Sequence, residues 1–245
     1  LFRSGMATGN NGKFVGCLKG TKSADRILET RYKRLYKAFT QENVLYQLYP
    51  DFLDCTTEND FNIALSQISE HEIRNLFDEI KLKTNRRIFG QGYLFKIIDA
   101  SEVTNISVMT DNEKKNGISN NRKDCFVMYD KGDRDGNKWF AKSPYYIKWS
   151  ENSVNILRTD KKARWQGYDF YFRSGFCWTN VLNTNSEYIK SRIKNQSVND
   201  VATMALYPLI KNINAKYLVC ILNSYFIFKL LREFLNASVN LQIND

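Results

Sequence analysis

The sequence predicts an α+β protein: a twisted, mostly antiparallel sheet core with an N-terminal helical subdomain and a C-terminal helical pair. Three observations predict it. Apolar residues recur at three- and four-residue steps from Thr21 to about Lys83. Short runs rich in aromatic and β-branched residues, separated by polar loops, follow from Arg86. Two strongly apolar helical stretches follow Asn214. A chain of 245 residues, 43% hydrophobic and 14% aromatic, can fill a real core. The expected divisions are residues 1–20 as a junction loop and strand, 21–85 as the helical subdomain, and 86–245 as the sheet-based part with its C-terminal helices.

Residues 1–20 hold five of the 12 glycines, which suits a loop followed by a short strand. In the helical block, Ile27, Leu28, Leu35 and Phe39 share one face, as do Ile73, Leu76, Phe77 and Ile80. Ser69 with Glu72 forms a capping box, in which hydroxyl and carboxylate each satisfy an orphan amide at the helix start. Expected strands are Tyr93–Ile98, Cys125–Tyr129, Tyr145–Trp149 and Phe170–Phe172. Thr110–Lys123, dominated by Asp, Asn, Lys and Gly, reads as a mobile surface loop that orders on a ligand. The closing helices are Ala215–Leu222 and Tyr225–Leu235, with Asn223 and Ser224 placed to cap the second. Their nearly all-apolar faces imply that they pack inside. The chain shows no internal repeat, and three prolines argue against an extended linker.

Thirty-six Lys plus Arg against 26 Asp plus Glu give a formal charge of +10, which favours a polyanionic partner such as nucleic acid, although a merely basic soluble surface gives the same balance. Cys17, Cys55, Cys125, Cys177 and Cys220 are odd in number and widely spaced, and read as reduced, buried thiols rather than a zinc site. The single histidine, His71, lies in a charged helical stretch and reads as a surface or partly buried side chain. The longest apolar stretch, Tyr217 to Leu231, is interrupted by Asn223, Ser224 and Lys229, too short and polar to span a bilayer. A cytoplasmic location is the expectation, with no membrane partner. A chain that opens on Leu1 and stops at Asp245 after a strand-like run reads as a fragment of a longer protein.

Two segments interleave cations with aromatic rings, the pattern in which cations hold phosphates and rings give stacking. In Asp130–Lys148, Lys131, Arg134, Lys138, Lys142 and Lys148 alternate with Trp139, Phe140, Tyr145 and Tyr146. A hairpin with core aromatics and solvated lysines fits the same spacing. In Arg158–Thr179, Arg164 and Arg173 alternate with Trp165 and Trp178. Gln166, Thr179 and Asn180 are polar candidates for reading base edges, as arginine reads guanine, and they equally suit ordinary loops. The candidate DNA-binding set is Lys131, Arg134, Lys138, Trp139, Lys142, Arg164, Gln166, Arg173, Trp178, Thr179 and Asn180. No metal site is expected. Asp130, Asp133 and Asp135 before Gly136 resemble part of a calcium loop, but Lys131 stands where its first carboxylate belongs and Lys142 where its last glutamate belongs. A Mg²⁺-dependent nuclease would use Asp51, Glu79 and Lys81, yet Glu79 and Lys81 end a helical pattern where strands are needed. Gly-rich phosphate loops, nucleophile elbows and the N-P-P-Y or D-P-P-Y run of adenine methyltransferases are absent. No catalytic residue is therefore predicted within the chain.

Four segments carry a family resemblance: G-M-A-T-G-N-N-G-K-F-V at 5–15, Y-Y-I-K-W-S-E-N-S-V at 145–154, D-F-Y-F-R-S-G-F-C-W-T at 169–179, and the tail from Ala215 to Asp245. In order and spacing they resemble the TaqI-like specificity domain of type IIG restriction–modification enzymes and of the adenine-specific methyltransferases of phage-exclusion systems. The helical block 21–83 is the exception and reads as an elaboration. The resemblance implies a parent with an S-adenosylmethionine-dependent methyltransferase domain and a possible Mg²⁺ nuclease, this segment itself holding no cofactor. It implies that the segment grips double-stranded DNA opposite the methyltransferase domain of the same polypeptide while an adenine is flipped. It places Thr8, Asn10, Asn11 and Lys13 at the junction with that domain. Asp130, Asp133 and Asp135 depart from the family's glycine-rich basic run. Two rivals stand beside this expectation: a metal-dependent nuclease fragment, and a separate specificity subunit that docks onto a methyltransferase.

Overall fold

The computed structural model describes residues 2–3, 5–41, 49–84, 95–132, 137–179, 181–183, 186–208, 213–234 and 240–242. In chain order the first elements are β1 (Phe2–Arg3), α1 (Asn11–Phe14), β2 (Val15–Leu18), α2 (Lys22–Gln41), α3 (Glu58–Gln67), α4 (Glu70–Thr84) and β3 (Lys96–Ile98). There follow α5 (Asp111–Asn116), β4 (Phe126–Asp130), β5 (Tyr145–Lys148), α6 (Glu151–Thr159), β6 (Gly175–Thr179), β7 (Val181–Asn183) and β8 (Arg192–Lys194). The chain closes with β9 (Val198–Asn199), β10 (Thr203–Leu206), α7 (Ala215–Leu222), α8 (Tyr225–Phe234) and β11 (Asn240–Gln242). The architecture is α+β with mostly antiparallel strands, as the sequence predicts. Two compact units divide it: residues 10–100, and residues 1–9 with 101–245.

In the unit of residues 10–100, the apolar faces read from the sequence meet. Leu35 and Phe39 of α2, Phe61 and Leu65 of α3, and Ile73, Leu76, Phe77 and Ile80 of α4 form one core with Phe52 from a 3₁₀ turn. Phe39, Phe52 and Phe61 pack with centroids 5.0 to 5.1 Å apart, the tilted geometry aromatic rings prefer. The expected capping box is present: the Ser69 amide donates to Glu72 at 2.7 Å, and the Glu72 amide to Ser69 Oγ at 3.2 Å. A second box, Thr57 with Asp60, starts α3. Buried Arg31 reaches Glu70 at 2.7 Å and the Phe95 carbonyl, so its charge is paired. The same unit holds β2 and β3, paired in parallel with Cys17 opposite Ile97. The opening loop expected before β2 contains one helical turn, α1, because Asn10 caps it by accepting from the Lys13 amide at 3.2 Å.

In the other unit, β1, β10, β6 and β8 form an antiparallel sheet in that order. Strand alternation splits its side chains between two faces. Phe176, Trp178 and Met204 join Ile189, Val219 and Phe228 beneath α7 and α8, whereas Cys177 and Ala205 join Phe170 and Tyr207. Strand β4 pairs antiparallel with β5 and parallel with β9, and β7 pairs antiparallel with β11.

Four expectations are corrected here. Phe170–Phe172 is not a strand: Gly167 at φ +69° starts a 3₁₀ turn over Tyr168–Phe170, Phe172 sits at φ +62°, and the strand begins at Gly175. Thr110–Lys123 is not loop throughout: it contains α5, started by a Thr110–Glu113 capping box and ended by Gly117 at φ +103°. Helices α7 and α8 bury Val219 and Phe228 but leave Tyr217, Tyr225, Phe226, Leu230 and Phe234 exposed, because only one face of each meets the sheet. Cys17, Cys125 and Cys177 are buried, but Cys55 is partly exposed and Cys220 exposed. His71 lies at the surface on α4. Among the described residues, no helix is long and apolar enough to cross a membrane.

Candidate nucleic-acid interface

The site is organised around Trp149, which follows β5 and is fully buried. Its indole N–H is shared between the carbonyls of Glu113 at 3.1 Å and Lys114 at 3.3 Å, which pins the last turn of α5. The first turn of that helix is fixed by its cap: the Thr110 amide donates to Glu113 at 2.8 Å, and the Glu113 amide to Thr110 Oγ1 at 3.1 Å. The Thr110 amide and hydroxyl, both donating to its carboxylate, and Arg122 at 2.8 Å hold the Glu113 carboxyl below the usual range. A helix of six residues with no buried side chain is thus held from both ends.

The ring of Trp149 stacks on Trp165 at 5.7 Å and 19°, and Trp165 stacks on Tyr168 at 6.4 Å and 18°. The result is a ladder of near-parallel rings leading from the core to Tyr168, which is 55% exposed. Tyr171 and Phe172 close its flank edge-on to Trp149. Tyr171 donates to the Gln166 carbonyl at 2.8 Å, and burial pushes its ionisation far above the ordinary phenol range. Arg158, in the last turn of α6, places its guanidinium 5.1 Å from the Trp165 ring, donates to the Lys115 carbonyl, and reaches Asn116 Oδ1 at 3.3 Å. Between these elements lies a cleft of about 670 Å³ lined by Asp111, Lys114, Lys115, Arg158, Trp165, Tyr168, Asp169, Tyr171 and Phe172. Lys114 pairs with Asp111 at 3.6 Å, and Lys115 is exposed. The lining offers cations for phosphate, flat rings for bases, and carboxylates that accept from amino groups.

The structure scatters the residues singled out from the sequence. Lys131 is engaged by Asp200 at 2.8 Å, and the Lys138 ammonium lies 3.3 Å from the Tyr188 ring centroid. Trp139 is half exposed at φ +71°, its backbone bonded to Ser191 and Ile193, while Lys142 is exposed. Arg164 and Arg173 are exposed, the second with its guanidinium 4.8 Å from the Phe170 ring. Three candidates turn inward. Trp178 is buried in the core beneath α7 and α8 because its register on β6 places it opposite Met204. Gln166 donates to the Gly5 carbonyl at 2.8 Å. Thr8 is buried. Asn10 caps α1, Asn11 opens it, and Lys13 is exposed beside the Phe14 ring. Thr179 ends β6, while Arg134 and Asn180, with Asp133, Asp135 and Gly136, lie outside the described residues.

Neither metal reading gains geometry. The Asp130 carboxylate is taken by Arg192 at 2.6 Å and Thr203 at 3.3 Å. Lys81 follows Glu79 by two residues on α4, a rotation of roughly 200° that turns them to different faces. Tyr49 donates to Glu79. Among the described residues, no group of three His, Cys, Asp or Glu side chains could hold a metal ion. Burial and the nearby Asp130 push the Cys177 thiol far up. Lys194 beside it is lowered by burial to about 8, with its ammonium donating to the carbonyls of Arg173, Asn195 and Ser197 at 3.0 to 3.2 Å.

None of the nine residues that line the cleft belongs to the candidate set read from the sequence. The T-x-x-E signature at Thr110 and Glu113 is the one signal that could have placed Lys114 and Lys115 on a helix. No protein-family model matches the chain, and no curated protein matches it.

Proposed function

We propose that this chain binds DNA, as the target-recognition part of an adenine-specific DNA methyltransferase or type IIG restriction–modification enzyme. In this reading it acts in the cytoplasm, binds double-stranded DNA beside a methyltransferase domain of the same polypeptide, and performs no catalysis. S-adenosylmethionine, and Mg²⁺ for any nuclease, belong to the parent. The observation that carries DNA binding is the cleft in which a stack of Trp149, Trp165 and Tyr168 is flanked by Lys114, Lys115 and Arg158, on a chain of formal charge +10. Exposed Lys161, Lys162 and Arg164 on the connection after α6 add to the local basic surface. The methyltransferase context rests on the four sequence segments.

The test is retention of a random duplex pool at two salt concentrations, with sequencing of what is kept. Steeply salt-dependent retention is expected, with a short motif enriched, and Lys115→Ala should reduce the slope of log K against log salt by about 1. Absence of salt-dependent retention would remove the reading. The exposed apolar face of α7 and α8, with Phe226 at 72% and Phe234 at 78% exposure, favours a second reading as a docking subunit. Salt-insensitive binding to a methyltransferase without affinity for DNA would mark that role.

A further inference from the structure

We infer that the cleft between α5, the end of α6 and residues 165–172 accepts a single unpaired nucleotide, its base stacked on Tyr168. This rests on the reading of the cleft as a DNA site and deepens it. The inner ring, Trp149, is fully buried, and the middle ring, Trp165, lies near-parallel to both neighbours with the Arg158 guanidinium 5.1 Å from its centroid. Tyr168 alone ends the ladder in solvent. Extending it requires a ligand that offers an aromatic face. Within an intact duplex the faces of each base are covered by the pairs above and below, and only edges and phosphates are presented. A bulged, flipped or single-stranded base presents a face.

The charges point the same way. A surface that only grips the phosphate backbone is lined by cations, whereas this cleft sets Asp111 and Asp169 against Lys114, Lys115 and Arg158. Asp111 is paired with Lys114, and Arg158 is engaged with α5 and with Trp165. Exposed Lys115 is left as the cation best placed to meet one phosphate. Asp169, next to Tyr168, supplies an acceptor for an exocyclic amino group, which phosphate recognition does not need. The volume of about 670 Å³ falls within the roughly 300–1,000 Å³ of small-ligand sites.

The test measures fluorescence anisotropy of the whole chain with three labelled probes: an intact duplex, the same duplex with one bulged nucleotide, and its single strand. Tighter binding to the bulged and single-stranded probes than to the duplex is expected. Tyr168→Ala should weaken those two by about 5- to 150-fold, the range of one base–aromatic stack, and weaken the intact duplex less than it weakens them. Tyr168→Phe, which keeps the ring face, should restore them, and near-UV circular dichroism checks that both variants stay folded. Salt-dependent binding of all three probes without preference, unaffected by Tyr168→Ala, would overturn the inference and leave the duplex reading standing. Loss of duplex binding alone, with the bulged and single-stranded probes still held through Tyr168, would support the inference and remove the duplex reading.

Discussion

Replacing Asp130 by Ala should cost about 3–5 kcal/mol, because it removes the carboxylate that a buried guanidinium faces. The Asp130 carboxylate ends β4 and reaches three strands of the neighbouring sheet: Arg192 of β8 at 2.6 Å, Thr203 of β10 at 3.3 Å and Cys177 of β6 at 3.4 Å. The Arg192 side chain is 3% exposed, so without this carboxylate the guanidinium stays charged and out of water. The bonds that Thr203 and Cys177 donate to the same carboxylate do not sum independently with the ion pair. All four tryptophans, Trp139, Trp149, Trp165 and Trp178, lie in the unit that contains Asp130, so tryptophan emission follows that unit alone. With a urea slope of about 2 kcal/mol/M, the midpoint should fall by about 2 M. Removing both charges, Asp130→Leu with Arg192→Met, should cost less than Asp130→Ala alone, since the guanidinium is removed together with the carboxylate it faces. A loss below about 1 kcal/mol for Asp130→Ala, or additive losses in the double variant, would refute the argument that the pair is buried and coupled.

Two further changes probe the frame of the cleft. Thr110→Ala removes the hydroxyl that accepts from the Glu113 amide and should cost about 1 kcal/mol, read as a drop of about 2–4 °C in the melting temperature; an unchanged value would mean that α5 does not depend on its cap. Gly117→Ala should cost about 2 kcal/mol or more, because the residue sits at φ +103° and an added Cβ would lie 2.6 Å from the Glu151 amide nitrogen; a loss of under about 0.5 kcal/mol in the same urea titration would show that this turn relaxes freely.

The helical block was legible because each of its helices buries one face, so burial writes a 3.6-residue period into residues such as Leu35, Phe39, Ile73, Leu76 and Phe77. Helix α5 buries no side chain and leaves no such period. Its capping box carried the information, but the surrounding Asp, Asn and Lys residues read as a loop. Phe170–Phe172 misled in the opposite direction. Its aromatics pack by tertiary contact around Trp149 and Tyr207, and the positive φ of Phe172 leaves no mark in residue identity. Trp165 and Trp178 lie in one basic-aromatic segment, yet register on β6 sends Trp178 into the core while Trp165 lines the cleft. The cleft draws on residues 111–115, 158 and 165–172, separations that no local spacing rule can connect.

The placement of α5 changes what binding there requires. A loop that orders on its ligand gives up conformational entropy at that moment, roughly 1–2 kcal/mol for each residue fixed, and its affinity is reduced accordingly. Here one side chain, Trp149, holds both walls before any ligand arrives: its N–H fixes the carbonyl end of α5, and its ring supports Trp165 on the opposite side. Arg158 ties the same two walls again, through the Lys115 carbonyl and the Trp165 ring. Lys114 and Lys115 therefore stand at a set position relative to the ring ladder. Affinity at this cleft should then follow from how well a ligand matches one face, Tyr168, and one cation, Lys115, rather than from the ordering of a loop.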